Sequence, residues 1–168
     1  MAILHPALRL LQLLLTLIST ALIGNVRAST LGSASGTATA AINFAIFVLA
    51  LSWITLLYGL VVQFVSALAI PIVSLALDAL ATLFTFIGAV VLSAKLTAVN
   101  CGHYGAKPTD WIAFGSADTE KRCREIQAGL VFMWFLFAAF AATLFFAFRE
   151  FRRGGGSVRG PNMSQIGV

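Results

Sequence analysis

Charge is what this chain has least of. Asp, Glu, Lys and Arg make up 10% of its 168 residues, against roughly a quarter in a soluble domain, and six of them are acidic. A shortage on that scale excludes water as the main solvent. Cysteine is nearly absent: Cys101 and Cys123 are the two in the chain, too few for a disulfide-built scaffold or a thiolate metal cluster. Histidine is as scarce, with His5 and His103. There is no His-Glu-x-x-His, no P-loop, no Gly-x-Ser-x-Gly and no Cys-x-x-Cys, so hydrolytic, nucleotide-driven and thiol chemistry have no recognisable seat. Neither an enzyme active site nor a cofactor is expected. The net charge of +5 is scattered between apolar runs rather than gathered on a basic face, which argues against nucleic acid as a partner. Anionic lipid headgroups are the expected counter-charge.

What the chain has in abundance is apolar length: 60% of its residues are hydrophobic and its mean hydropathy is +0.95. A bilayer core ~30 Å thick is crossed by about 20 apolar residues at 1.5 Å rise. Four runs qualify, at residues 8–24, 42–64, 70–94 and 126–148. The expected fold is an all-α, four-transmembrane-helix bundle over residues 1–148, followed by a basic tail at 149–168. Residues 25–41, rich in Gly, Ser, Thr and Ala, read as a flexible loop. Residues 65–69 are short and uncharged, and Pro71 suits a first helical turn, so the second and third spans form a tight hairpin. Residues 95–125 form the long polar loop, its last part entering the fourth helix with Asp118 or Thr119 as N-cap. The interleaved Lys121, Arg122, Arg124 and Asp118, Glu120, Glu125 read as a solvated helix start. The glycine-rich tail reads as disordered.

The first span also has the form of a signal peptide, with Val26-Arg27-Ala28 as a cleavage site. Against that, Arg9, Gln12, Thr16 and Ser19 share one helical face, as a span packed against other helices requires.

Four spans put both termini on one side. The positive-inside rule barely chooses which: Arg9, Arg149, Arg152, Arg153 and Arg159 stand against Arg27, Lys95, Lys107, Lys121, Arg122 and Arg124. The cysteines break the tie, because a disulfide persists only on the lumenal or extracellular side. A Cys101–Cys123 bridge puts the loops at 25–41 and 95–125 outside and both termini in the cytosol; the alternative is two free thiols in a cytosolic loop. In the first topology His5 and His103 lie on opposite sides and share no metal, and the sequon at Asn162 never meets the transferase.

Asp78 is the acidic residue well inside a span, where a carboxylate costs at least ~2.5 kcal/mol. Ser74, Thr82, Thr85, Ala81 and Gly88 lie on the same arc, and Ser52, Thr55, Gly59 and Gln63 form a similar stripe on the second span. Asp78 reads as interhelical glue, hydrogen-bonded to Gln12, Thr16 or Ser52. The alternative is a proton or ion site in a small transporter or channel subunit; no buried basic partner is identified for it. Arg149, Arg152 and Arg153, directly after the fourth span, are candidates for contact with anionic lipid, compatible with an ordinary stop-transfer signal.

Leu77-Asp78-Ala79-Leu80 through Phe84-Thr85-Phe86, the stretch from Cys101 through Lys121-Arg122-Cys123-Arg124-Glu125-Ile126-Gln127-Ala128, and the closing Ser164-Gln165-Ile166 together resemble the fungal MARVEL-domain proteins of the non-classical export and eisosome-associated type. The similarity covers most of the chain in span order and length. It implies a plasma-membrane protein that organises lateral membrane compartments, responds to sphingolipid state and is linked to unconventional protein export. The partners it implies are membrane lipids, sphingolipid or sterol among them, other membrane proteins of the same compartment, and further copies of the chain. No catalytic motif comes with the resemblance; the loop cysteines and the intramembrane acid match at Cys101, Cys123 and Asp78.

Overall fold

In hydrocarbon a backbone must satisfy its N–H and C=O groups within the segment or in a closed barrel, so long runs of Leu, Ile, Phe and Ala become helices. The structure, a computed structural model, describes residues 4–32, 34–65 and 70–153, and it has four helices among them: α1 (Leu4–Ala28), α2 (Gly36–Phe64), α3 (Pro71–Leu96) and α4 (Thr119–Arg153). All four are long and apolar enough to cross a membrane.

The helices outrun the hydrophobic runs. Most of the expected first loop is helical, with α1 continuing through Ala28 and α2 starting at Gly36. The cause is local: the Ser35 side chain accepts from the Ala38 amide at 3.2 Å, capping a segment rich in alanine, the best helix former. Ala38 and Ala41 are then buried in the bundle. Likewise residues 149–153, expected in a disordered tail, form the last turns of α4. Pro71 occupies the start of α3, and Asp118 Oδ1 accepts the Lys121 amide at 2.9 Å, capping α4.

Each helix packs against its neighbours in the chain, and α4 closes the ring against α1. The pairs α1/α3 and α2/α4 therefore stand on the diagonals. Leu15, Ile23, Ile42, Leu49, Met133, Leu136 and Phe140 fill the middle. A Cβ on Gly129 would sit 2.8 Å from Ile23 Cδ1, so glycine there sets how closely α4 approaches α1. Leu10, Leu14, Leu17, Phe47, Ile54, Leu57, Leu83 and Phe135 point outward, which is expected where lipid is the solvent. Because α1 supplies core residues along its length and packs on both α2 and α4, it serves as a structural span.

At the other end from the termini, residues 97–118 fold down onto the bundle. Trp111, Ile112 and Ala113 are buried, the Trp111 indole N–H donates to the Leu96 carbonyl at 3.0 Å, and Tyr104, Trp111 and Phe114 form a ring cluster with centroids 5.2–6.1 Å apart. The chain enters this cap through Thr97, which holds φ at 61°, a region costly for a β-branched residue. Releasing that strain is worth about 1–3 kcal/mol, less up to about 1 kcal/mol for glycine's extra entropy. Thr97→Gly should therefore raise the thermal midpoint in detergent; a lower midpoint would show the backbone there to be unstrained.

Candidate functional site: an ion pair across the bundle

The polar residues of the spans converge in the half of the bundle nearer the termini. Arg9 on α1 reaches across the diagonal to Asp78 on α3: Nη1 donates to Oδ1 at 2.9 Å and Nη2 to Oδ2 at 2.7 Å. Both side chains are buried, at 9% and 3% exposure. The guanidinium crosses above α2 at Gly59, where a Cβ would lie 2.8 Å from Arg9 Cζ and Nε; any side chain there would displace it. Arg9 Nη1 also donates to Gln12 Oε1 at 3.1 Å. Gln12 passes the network to α4 through its Nε2, which donates to Thr143 Oγ1 at 2.6 Å and to the Ala139 carbonyl at 3.1 Å. One connected node thus touches all four helices. A fork-to-carboxylate pair is the strongest such contact available, and in a low-dielectric interior it also fixes the register of the helices that carry it.

This corrects the sequence reading at Asp78. Its carboxylate is bound by Arg9, which the sequence places among the cytosolic-side cations and on the polar face of the first span, rather than by Gln12, Thr16 or Ser52. Gln12 reaches the same guanidinium. The Thr16, Ser52 and Thr82 hydroxyls instead donate to carbonyls four residues back, at Gln12, Val48 and Asp78, at 2.6–2.9 Å, and Ser74 is only half-buried. The signal was present in the sequence: Arg9 and Asp78 are opposite charges on apolar helices, and Arg9 lies on the polar face of the first span.

The second polar assembly is the cap. Cys101 and Cys123 are bonded, S–S 2.02 Å, tying the long loop to the first turns of α4. Beside the bridge, Arg122 is buried, contrary to the expected solvated helix start. Its Nε donates to the Ile112 carbonyl at 3.2 Å, and its Nη1 to the Val26 carbonyl at 3.2 Å and Thr30 Oγ1 at 2.9 Å. Three carbonyl and hydroxyl acceptors from α1, the first connection and the loop converge on one side chain. Lys121 and Arg124 remain exposed and pair with Glu125 and Glu120. At the far end of α4, Arg149 and Arg152 are exposed.

The chain matches the family model described as MARVEL, a membrane-associating domain, over residues 2–146. The chain belongs to the MARVEL family. The MARVEL chain is also 32% identical over 139 residues to Non-classical export protein 2 of Saccharomyces cerevisiae, an alignment covering 74% of this chain and 79% of that protein. No solved structure matches it. Family and helices together make this a multi-pass membrane protein of the MARVEL fold. Within that MARVEL fold the loop cysteines, Asp78 and Arg122 are all structurally engaged. Gln63, Arg153 and Asn162 lie outside what the structure describes at side-chain level.

Proposed function

We propose that this MARVEL protein is a non-enzymatic organiser of lateral domains in the plasma membrane, of the eisosome type, with roles in sphingolipid response and unconventional protein export. The export role is carried by its likeness to Non-classical export protein 2. One structural observation supports an organiser over a carrier: both oxygens of the intramembrane carboxylate are held by Arg9 inside a hydrogen-bonded node that joins α1, α3 and α4. A carboxylate so engaged is charge-compensated by a neighbouring side chain, and the chemistry left to the outside is apolar helix faces and two charged ends. Its partners are then lipids and neighbouring membrane proteins, including copies of itself.

The test is to express the chain at matched level in cells and score patch formation at the plasma membrane, alongside proton and cation flux into liposomes carrying the purified protein. Patches without flux are expected. Flux through the wild-type protein, with uniform membrane distribution, would return Asp78 to the ion-site reading.

Orientation belongs to the same proposal, with both termini cytosolic and the disulfide cap outside. A glycosylation sequon engineered near Gly105, an exposed loop position, should be occupied while Asn162 stays bare. The reverse pattern would invert the molecule in the membrane.

A further inference from the structure

The last turns of α4 carry a feature that neither the bundle nor the cap uses. Phe145, Phe148, Arg149 and Arg152 follow the spacing i, i+3, i+4, i+7, so at about 100° per residue they lie along one stripe. All four are exposed. The stripe is internally ordered: the Arg149 guanidinium lies 5.8 Å from the Phe145 ring centroid, and that of Arg152 5.8 Å from Phe148. Each cation thus lies over an aromatic ring one turn deeper in the helix, a contact that restrains the long side chain without using its N–H donors.

The depth of the stripe follows from the node. Thr143 is level with Gln12 through their hydrogen bond, and Arg149 and Arg152 come six and nine residues further along α4, about 9 and 13 Å at 1.5 Å per residue. Leu4, where α1 begins, lies eight residues from Gln12 in the same direction, about 12 Å away. The two guanidinium groups are thus about level with the start of α1 and at the end of the apolar part of α4, the height at which a bilayer's headgroups are expected to meet the bundle, with the phenylalanines one turn deeper. Residues 149–153 hold three arginines and one glutamate, an excess of positive charge that outweighs the partial negative charge of a helix C-terminus.

We propose that this stripe is a binding site for the net negative headgroup of an anionic phospholipid in the terminus-side leaflet, its phosphate and carboxylate facing the two guanidinium groups and its acyl chain lying along Phe145 and Phe148. The proposal rests on the organiser reading for its purpose but not for its geometry. Two guanidinium groups a turn apart present several N–H donors to one headgroup, and the adjacent aromatic surface gives a lipid an advantage that a free anion lacks.

The experiment uses the full chain reconstituted in phosphatidylcholine vesicles with and without phosphatidylserine, reading by mass spectrometry the lipid that stays bound after mild detergent extraction. Phosphatidylserine should be enriched over its bulk share, with a loss of about fivefold for each of Arg149→Gln and Arg152→Gln and a smaller loss for Phe145→Leu with Phe148→Leu. Because all four side chains are exposed, the thermal midpoint in pure phosphatidylcholine should not move. Millimolar inorganic phosphate should leave the enrichment intact; displacement by phosphate alone would show a site for free anions and overturn the lipid assignment. Equal retention of both lipids by the wild-type chain would overturn the site altogether. Loss of enrichment in the double glutamine variant with patches intact upholds the lipid site and separates it from clustering. Absence of patches in the wild-type chain, with enrichment present, upholds the site and defeats the organiser reading alone.

Discussion

Replacing Asp78 with leucine should cost the bundle about 3 kcal/mol, because it strands the Arg9 guanidinium in hydrocarbon, a position that costs about 2.5–3.5 kcal/mol even on insertion scales. Breaking a buried pair from one side is the expensive operation. The two partners are not equivalent. An orphaned carboxyl can take up a proton and become a neutral donor, whereas a guanidinium cannot shed its charge, so Arg9→Leu should be milder than Asp78→Leu. Asp78→Asn, which would be benign if Asp78 were only a hydrogen-bonding partner, should behave nearly as badly as the leucine variant, since the amide leaves the positive charge uncompensated. Removing both charges, as Arg9→Leu with Asp78→Leu, should recover most of the loss, whereas Gly59→Val should be destabilising like the single variants, because it pushes Arg9 off its path across α2. The measurement is thermal unfolding in detergent, with wild type, Asp78→Leu, Arg9→Leu and their double as a double-mutant cycle and Asp78→Asn and Gly59→Val beside it. Wild-type stability in Asp78→Asn would mean that the pair carries no energy.

Much of the architecture could be read from the chain because lipid imposes few choices. Run length and the absence of charge locate the spans, and Pro71 marks the start of α3 as expected. The failures have a common origin in treating polarity as a sign of exposure. Arg9 enters the sequence reading both as a cytosolic-side cation and as part of the polar face with Gln12, Thr16 and Ser19, and only the second role leads to its partner Asp78. Arg122 was read as solvated from its alternating-charge neighbours, yet it points the other way, toward Val26 and Ile112. Residues 36–41 read as loop because alanine, threonine and glycine offer little apolar surface, although alanine needs none to be helical once Ser35 supplies a cap. A diagonal contact such as Arg9 to Asp78 spans 69 positions, and no local pattern encodes the partner; only the count of opposite charges within the spans does.

Loss of the Cys101–Cys123 bridge should have an effect of similar size, about 3 kcal/mol in the chain-entropy account of a cross-link at a separation of 22 residues. The bridge does more than shorten the unfolded chain. It fixes the long loop beside Arg122, whose donors reach the Val26 and Ile112 carbonyls and Thr30, so the cap and the ends of α1 and α4 loosen together when it is cut. In Cys101→Ser with Cys123→Ser the thermal midpoint should fall and residues 97–118 should become sensitive to protease, while the Arg9–Asp78 node, at the opposite end, keeps the spans associated. Both cysteines are buried in the native cap, at 5% and 0% exposure, so a reductant should act quickly only after partial unfolding, and the wild-type protein should then shift in electrophoretic mobility. Unreduced protein should take up no thiol label. If a membrane-impermeant label applied to the terminus side of sealed vesicles modified both cysteines, the bridge and the orientation proposed here would fall together, because a bonded pair on the far side of the bilayer offers that reagent no thiol.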